Sequence, residues 1–498
     1  MDIKAVAGRV ESVAADAVIV NLFEDAELSG ATATLDTALD SMISNLIEDG
    51  DFSGKSGQVA VLYTRGALPS KRVILVGLGK RESFALEVAR RAAATAILKA
   101  RDLKLKHVAS VLHGAGTGGH PVGAAAQAVT EGSLLALYDY RGQKSGEKAE
   151  EFPKILDLLI LDENDTRAQE GIKHGTAIAA GVRIARDLVN LPPNFCTPQY
   201  MAEVAAEMAR TVGLRFEALG KPEMEAMKMG ALLGVAQGSD TPPRLIILEY
   251  NAGRDDLPAV VLVGKGVTFD TGGYNIKTTD GMSTMKGDMA GGAAVIGALG
   301  AIAGLGLPLR VIGLIPAADN MISGHAYRPQ EVLTASNGVT IEIISTDAEG
   351  RLLLADALVY AARYKPEAVV DIATLTGSCV TALGANVAAG LFSTSEKLRD
   401  ALVAAGIESA EKVWPLPLFP EYDKTIESNT ADIKNSGGAR GGVGTSAAFL
   451  RHFTSYPAWA HIDMAGMTFD QPDTPYVPKG ATGYGVRLLT EFTRRWAE

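Results

Sequence analysis

The chain has 498 residues, of which 47% are hydrophobic and 21% are charged. This length exceeds the usual size of one domain, and the apolar content excludes a largely disordered chain, so we expect two folded domains. The formal net charge of −11, with Lys and Arg scattered rather than clustered, disfavours nucleic acids and anionic membrane surfaces as partners.

Residues 1–165 alternate short β-rich runs with helical stretches, which predicts a small N-terminal α/β domain. The predicted strands are DAVIVNLF, GQVAVLYT, KRVILVGLG, KHVASVLHG and KILDLLILD, and the clearest helix is SFALEVARRAAATAILKARDL. The polar segment 141–154 is expected to be a surface loop. A helix in the segment 166–192, stopped by Pro192 and Pro193, is predicted to connect the two domains.

Residues 193–498 are predicted to form the second, larger domain. Its predicted strands include LIILEY, AVVLVGKGVTF, LRVIGLIPA, AVVDIATL and AHIDMAG, and helices such as MAGGAAVIGALGAIAGL separate several of them. This alternation predicts a mostly parallel central sheet covered by helices, so the fold class is α/β with two α/β domains. Asn337 and Gly338 predict a tight hairpin, which we expect to bring Ile344–Glu349 into position.

The two cysteines, Cys196 and Cys379, are too few for a disulfide scaffold or a thiolate zinc cluster, and they favour a cytoplasmic location. Cys379 could be a nucleophile, but a small buried core residue is the better interpretation. Asp2, Glu11 and Asp16 interrupt the apolar positions of the N-terminus, so no signal peptide is predicted. We also expect no uncharged apolar run that approaches the about 20 residues needed to span a bilayer.

Common catalytic motifs do not account for this sequence. Gly114, Gly116 and Gly119 satisfy G-x-G-x-x-G after a predicted strand, but a flexible loop is the better interpretation. The seven histidines are dispersed and include no H-E-x-x-H pattern, which disfavours a histidine-rich zinc site. No G-x-S-x-G occurs, so the usual nucleophile turn of serine hydrolases is excluded.

Charged residues instead concentrate in two segments, 262–292 and 340–358, each placed where a predicted strand ends. The residues are Lys265, Asp270, Lys277, Asp288, Asp347, Glu349 and Arg351. Ligands of α/β proteins bind at the carboxyl ends of strands, and four carboxylates offer enough oxygen ligands for two divalent cations. The residue types alone leave an ordinary network of ion pairs equally open.

The order of residues in these segments resembles the leucyl aminopeptidase family. Residues 345–352 read STDAEGRL against the family signature NTDAEGRL, and GKGVTFDTGG, MKGDM, DLVNLPPN and DIATLTG accompany it. The resemblance covers nearly all of 170–498, whereas the first 165 residues match only in size and α/β character. Ser345, Thr271 and Thr278 depart from the usual residues, but none of them replaces a candidate metal ligand.

The resemblance implies a cytosolic metallo-aminopeptidase that removes leucine and other, mainly apolar, N-terminal residues from peptides. It implies two divalent cations per subunit, Mn²⁺ or Zn²⁺, and a homohexamer. The residues that would hold the tighter cation are Lys265, Asp270, Asp288 and Glu349. The residues that would hold the more exchangeable cation are Asp270, Asp347 and Glu349.

The resemblance also implies roles for residues around these ligands. Lys277 would act on the reacting carbonyl, and Arg351 would hold a bicarbonate that serves as general base. Met285, Thr374, Gly377 and Ala465 match positions that line the family's pocket for the departing side chain.

Two alternative functions stay open. One is a dipeptidase, such as a Cys-Gly hydrolase, which the same chemistry would permit. The other is an additional DNA-binding role, which the acidic charge disfavours and which salt-dependent DNA retention would test.

Overall fold

The computed structural model describes residues 1–145, 154–162, 166–438, 440–470 and 474–498, so most of the predicted loop 141–154 lies outside the described residues. The described chain divides into two compact units. One comprises Met1–Ala179 and the described part of Gln471–Pro478, and the other comprises Ala180–Asp470 and Lys479–Glu498. The division falls inside a helix, Thr166–Asn190, in the segment predicted to connect the domains.

Among the described residues, the first unit holds one sheet with helices. Its strands are β1 (Asp2–Val6), β2 (Ala17–Leu22), β3 (Val59–Tyr63), β4 (Arg72–Gly77), β5 (His107–Val111) and β6 (Asp157–Leu161). Its helices are α1 (Gly30–Ala38), α2 (Met42–Glu48), α3 (Leu86–Asp102), α4 (Val122–Ala136) and the start of α5 (Thr166–Asn190). The strand order is β1-β6-β5-β2-β4-β3, and β3 runs antiparallel to its neighbour β4. The five predicted strands are confirmed, and β1 adds a sixth.

The second unit contains more strands and helices. Its described strands are β7 (Arg215–Leu219), β8 (Arg244–Tyr250), β9 (Ala259–Gly264), β10 (Gly266–Asp270), β11 (Arg310–Asn320), β12 (Val332–Thr334), β13 (Thr340–Glu342), β14 (Ala368–Ala373), β15 (Ala389–Ser393), β16 (Val413–Pro415), β17 (Ile433–Lys434) and β18 (Trp459–Asp463). Its described helices are α6 (Pro198–Val212), α7 (Lys221–Ala226), α8 (Gly230–Ala236), α9 (Thr279–Met282), α10 (Ala290–Leu305), α11 (Gly350–Ala361), α12 (Gly377–Leu383), α13 (Glu396–Ser409), α14 (Glu421–Thr425), α15 (Gly442–Arg451) and α16 (Val486–Trp496).

The main sheet of the second unit has its parallel strands at the centre. Its order is β16-β15-β18-β14-β9-β11-β8-β7, with β10 also paired to β11. The central strands β18, β14, β9 and β11 are mutually parallel, whereas β15 and β8 run antiparallel to their inner neighbours. Strands β9, β14 and β18 are buried along their whole length, as expected for a sheet covered on both faces. The predicted α/β class is confirmed.

Helices cover the two faces of this sheet. Val261 and Val263 of β9 pack in one apolar cluster with residues of α8, α11 and α15. On β9 and β11, Gly264 and Gly313 instead approach α10. Because successive strand residues point to opposite faces, these contacts place α10 on the face opposite α8 and α11.

The predicted strand AVVLVGKGVTF is broken in two at Lys265. The backbone N–H of Lys265 donates to the carbonyl of Ile372 on β14 at 3.1 Å, whereas β10, which follows, pairs with β11. The predicted hairpin is confirmed: β12 and β13 pair antiparallel, and Gly338 at the turn has a φ of +91°. Only glycine adopts this conformation without strain.

The expectation that no apolar run approaches bilayer-spanning length is wrong for the segment around α10. Residues 289–309 contain no charged side chain. The segment Thr279–Leu305 is long and apolar enough to cross a membrane by composition alone, but 78% of its most apolar window is buried inside the protein. A helix that is apolar on all sides is also typical of the core of a large protein, where other elements surround it.

Close packing of α10 against β14 yields the first prediction. A Cβ added at Gly291 would lie 2.2 Å from the backbone oxygen of Ile372, which cannot move alone. We expect Gly291→Ala to lower the free energy of unfolding by about 1–3 kcal/mol, as overpacked cores do. The matched control is Gly300→Ala on the same helix, where the nearest atom is the flexible Met208 side chain at 3.1 Å. The free energy of unfolding of both variants is measured with urea. Equal values for Gly291→Ala and Gly300→Ala would contradict the packing argument.

Candidate active site

The carboxyl ends of the four parallel central strands carry the polar residues of the candidate site. Asp463 is the last residue of β18, and Asn320 is the last residue of β11. Thr374 directly follows β14, and Lys265 directly follows β9. The sheet therefore brings together residues that are distant in sequence, at the edge where α/β folds bind ligands.

Lys265 lies in a buried group of charges. Its Nζ is 2.8 Å from Asp288 Oδ1 and 2.9 Å from Glu349 Oε1, and all three side chains are at most 5% exposed. The same Nζ donates to the carbonyl of Thr374 at 3.1 Å. Burial opposes the charge of Lys265, but the surrounding carboxylates outweigh it and raise the pKa of this amine.

Glycine at position 350 makes room for this group. Gly350 begins α11 directly after Glu349, and a Cβ added there would lie 2.4 Å from Lys265 Cε. A larger residue would displace the amine from the carboxylates. Steric crowding by Lys265 therefore explains why the residue between Glu349 and Arg351 is glycine.

A second group of charges lies closer to solvent. Lys277 Nζ is 2.7 Å from Asp270 Oδ2 and 2.6 Å from Asp347 Oδ1. Oxygen atoms of Asp270, Asp347 and Glu349 all lie within 4.8 Å of one another. Burial, assisted by the charge of Glu349, raises the pKa of Asp270 to about 6 against the opposing effect of Lys277. Four carboxylates thus meet in one place, and Glu349 belongs to both groups.

The chemistry of these donors fits divalent cations. Asp288 Oδ2 and Glu349 Oε2 are buried and have no hydrogen-bond partner in the described part of the chain. A buried carboxylate oxygen without a partner is strongly destabilising, whereas a cation would satisfy it. Carboxylate oxygens and an amine nitrogen suit hard or borderline ions such as Mn²⁺ and Zn²⁺.

Arg351 lies beside these carboxylates in the first turn of α11 and is 7% exposed. One terminal nitrogen donates to the carbonyl of Asn435 at 2.7 Å, but its Nε is buried without a partner among the described residues. Burial lowers the pKa of the guanidinium to about 10, which still leaves it charged at neutral pH. A charged group with an unused donor suits a small anion.

Every site residue expected from the sequence lines the same cavity, whose volume is about 370 Å³. These residues are Lys265, Asp270, Lys277, Met285, Asp288, Asp347, Glu349, Arg351, Thr374, Gly377 and Ala465. Val380, Thr468 and Phe469 also line the cavity and were missed by the sequence analysis. No sequence pattern marked these three residues, because they lie outside the charged segments 262–292 and 340–358.

Uncharged side chains hold the charged residues in place. Asn320 Nδ2 donates to Asp270 Oδ1 at 2.7 Å and to the carbonyl of Thr346 at 3.0 Å. Thr346 Oγ1 donates to the carbonyl of Gly272 at 2.6 Å, so it ties the loop after β10 to the segment that carries Asp347. Sequence analysis missed Asn320, which stands alone at the end of a strand 50 residues from Asp270.

Asp463 is a further residue that the sequence analysis missed. Its carboxylate is fully buried and accepts hydrogen bonds from the backbone N–H groups of Leu375 and Ala465, each at 3.2 Å, and from the Thr376 hydroxyl at 2.7 Å. These bonds fix the loop that follows β14. Thr374 in that loop donates its hydroxyl to Asp288 Oδ1 at 2.8 Å, so Asp463 supports the first charged group indirectly.

Cys379 takes no part in this arrangement of charges. It is 2% exposed, and its thiol lies 3.4 Å from the carbonyl of Asp463. Burial raises the pKa of the thiol to about 12, which leaves it protonated at neutral pH. The interpretation of Cys379 as a buried core residue is confirmed.

Two family models match this chain. The catalytic-domain model of the cytosol aminopeptidase family matches residues 183–490, and the N-terminal-domain model of that family matches residues 19–147. A probable cytosol aminopeptidase of Roseiflexus castenholzii is 44% identical, with 100% of both chains covered. A probable cytosol aminopeptidase of Geotalea uraniireducens is 45% identical over 92% of each chain.

Solved structures show the same relationship. The bottromycin maturation enzyme BotP in complex with Mn superposes with a TM-score of 0.86 at 33% identity, covering 97% of this chain and 100% of that one. A mutant of tomato leucine aminopeptidase gives a TM-score of 0.88 at 33% identity, with coverage of 99% and 96%. Fold, charged cavity and similarity over the whole length together show that this chain belongs to the cytosol aminopeptidase family and is a metal-dependent exopeptidase.

Proposed function

We propose that this enzyme hydrolyses the N-terminal residue of peptides, leucine and other mainly apolar residues, with two divalent cations. The observation that carries the proposal is the meeting of four carboxylates and two lysines in one cavity, where two buried carboxylate oxygens have no partner in the part of the chain that the structure describes. Two such oxygens in one cavity favour cations over a closed network of ion pairs, because each unpartnered oxygen destabilises the fold.

The first cation would be held by the buried group and the second by the more exposed one. The tighter site would comprise Lys265, Asp270, Asp288 and Glu349. The exchangeable site would comprise Asp270, Asp347 and Glu349, and Asp347 is 38% exposed. When bound, the two cations lower the pKa of water and attract the negative charge that develops on the scissile carbonyl. We favour Mn²⁺ because the related enzyme BotP was solved in complex with Mn.

Lys265 and Lys277 would have opposite protonation states in the loaded enzyme. An amine can ligate a cation only after it loses its proton, and the charge of two cations favours that loss for Lys265. Lys277 is 18% exposed and lies at the more open group, where it would stay charged and face the developing oxyanion. Arg351 would hold bicarbonate, which would act as general base, because its buried Nε has no hydrogen-bond partner among the described residues.

The uncharged part of the cavity would receive the departing side chain. Met285, Thr374, Gly377 and Ala465 line it together with Val380 and Phe469. Most of these side chains are apolar or small, which suits leucine and similar residues and gives a charged side chain no counter-ion. We also propose a homohexamer, as the family resemblance implies. The name of the relatives, probable cytosol aminopeptidase, supports a location in the cytosol.

Metal removal provides the most direct test. We expect exhaustive chelation to abolish hydrolysis of leucine amide and added Mn²⁺ or Zn²⁺ to restore it, because the cavity holds four carboxylates that only cations can fully compensate. Activity and metal content are measured in parallel on the same samples. Full activity in protein shown to be free of metal would contradict the proposal.

The exchangeable site can be tested separately through Asp347. We expect Asp347→Ala to reduce the bound metal from about two ions to about one per subunit, since this carboxylate belongs to that site alone. Asp280→Ala is the matched control, because Asp280 is an exposed carboxylate on α9 outside the cavity. Loss of both ions from a folded Asp347→Ala protein would contradict the assignment.

The two lysines should respond differently to substitution. Lys265→Arg should lower the metal content, because a guanidinium cannot donate a lone pair and brings positive charge toward the cations. Lys277→Ala should keep the metal content while kcat falls by about 10²–10³, as when other oxyanion donors are removed. Metal analysis and steady-state kinetics on both purified variants distinguish the two roles.

The contrary result for the lysines is equally specific. If both are only ion-pair partners, each substitution lowers stability, and metal content does not distinguish them. Retention of both metals by Lys265→Arg, with normal turnover of Lys277→Ala, would show that these residue roles are wrong even for an active aminopeptidase.

A further inference from the structure

Two adjoining cavities lie at the edge of the main sheet opposite the candidate active site. The larger, of about 570 Å³, is lined by the starts of β9 and β11, at Ala259 and Arg310, and by Glu367 directly before β14. The smaller, of about 220 Å³, shares Arg310, Arg363 and Tyr364 with it. Strand β9 has six residues, which span about 20 Å, so both cavities are remote from the charged cavity at its other end. A molecule bound there leaves the active site free.

Two tyrosines and two arginines stack in the wall of the smaller cavity. The guanidinium carbon of Arg363 lies 4.6 Å from the centre of the Tyr360 ring, and that of Arg310 lies 5.6 Å from the centre of the Tyr364 ring. The centres of the two rings are 6.2 Å apart. A guanidinium stacked on a ring is held in place, while the N–H groups at its edge stay available to a ligand.

The charged residues of the smaller cavity differ in how well they are compensated. The Nε of Arg310 donates to Glu249 Oε1 at 2.6 Å, and both side chains are largely buried. Arg363 is exposed and forms no ion pair with any residue that the structure describes. Glu217 is 47% exposed and lies 3.9 Å from Arg215, at the outer limit of an ion pair. The cavity therefore presents one uncompensated cation and one loosely paired carboxylate.

The mixture of charges limits what the smaller cavity can hold. Its charged lining residues are Arg215, Glu217, Glu249, Arg310 and Arg363, three cations against two anions. The arginines repel a metal cation, whereas the glutamates, together with Asp255, Asp256 and Glu367 of the larger cavity, oppose a phosphate chain. The volume of about 220 Å³ holds about seven water molecules, so the ligand is small. A small zwitterion fits both signs of charge.

We propose that the smaller cavity binds a free α-amino acid at a site separate from the active site. The carboxylate of the ligand would accept two parallel hydrogen bonds from Arg363, and its ammonium would pair with Glu217. Its side chain would lie against Ile247 and the tyrosine rings, which supply the apolar part of the lining. Free amino acids are what this exopeptidase releases. The inference rests on the residues of the cavity and goes beyond the proposed function.

Equilibrium dialysis of labelled L-leucine against the Mn²⁺-loaded full-length enzyme tests the site. We expect the wild type to bind one more leucine per subunit than Arg363→Gln, which loses the charge and the paired donors. Glu217→Gln removes the partner of the ammonium without touching the stacked arginine, and it should lose the same leucine. Arg210→Gln, at a 74% exposed arginine of α6, is the matched control and should bind as much as the wild type. Hydrolysis of leucine amide by the same samples shows that each variant is folded.

The remaining outcomes each decide the matter. Equal binding of leucine by the wild type and Arg363→Gln overturns the inference. Loss of the leucine in Arg363→Gln but not in Glu217→Gln also overturns it, because the cavity would then take any carboxylate rather than an amino acid. If Arg363→Gln does not fold, Glu217→Gln alone gives the answer. If the loaded wild type binds the additional leucine but does not hydrolyse leucine amide, the proposed function fails and this inference stands.

Discussion

The second unit has to hold four carboxylates together in one largely buried cavity, and the rest of the site depends on how their charge is compensated. Burial and mutual repulsion oppose their ionisation, which is why the pKa of Asp288 lies well above its usual value and that of Asp270 at about 6. Two lysine ammoniums compensate only part of this charge. Two divalent cations would compensate all four carboxylates and would free Lys265 from its role as a counter-ion, so the same residues can act as ion-pair partners or as ligands.

The sheet makes this concentration of charge sterically possible. Strands β18, β14, β9 and β11 end at one edge, and each end contributes either a charged residue or a side chain that positions one. Asn320 bonds Asp270, and Asp463 fixes the loop that carries Thr374. Asn435 accepts from the backbone at Ile344 and bonds Arg351 through its own carbonyl. Asn320 and Asn435 are uncharged, so they position the charged residues without adding to the charge.

The sequence was informative where chemistry is local. The charged residues of 262–292 and 340–358 were identified because ligand-bearing strand ends and the STDAEGRL segment are contiguous in the chain. The break at Lys265 was not predicted, since the apolar pattern of β9 continues into β10 and the pairing partner of each strand is set by tertiary structure. Asp463 and Asn435 were missed for a related reason: their hydrogen bonds span 84 to 91 residues, and no local pattern reports such contacts. Helix α10 shows the same limit, since composition alone cannot distinguish a buried core helix from a membrane segment.

The gradient of burial within the cavity has a consequence for how metal and substrate reach it. Lys265, Asp288 and Glu349 lie at the closed end, where a bound cation would exchange slowly because its ligands are shielded from water. Asp347 lies at the open end, where the loop after β10 approaches it: a Cβ added at Gly272 would lie 2.8 Å from Asp347 Oδ1. A cation at the open end would be the one that solvent and peptide both approach.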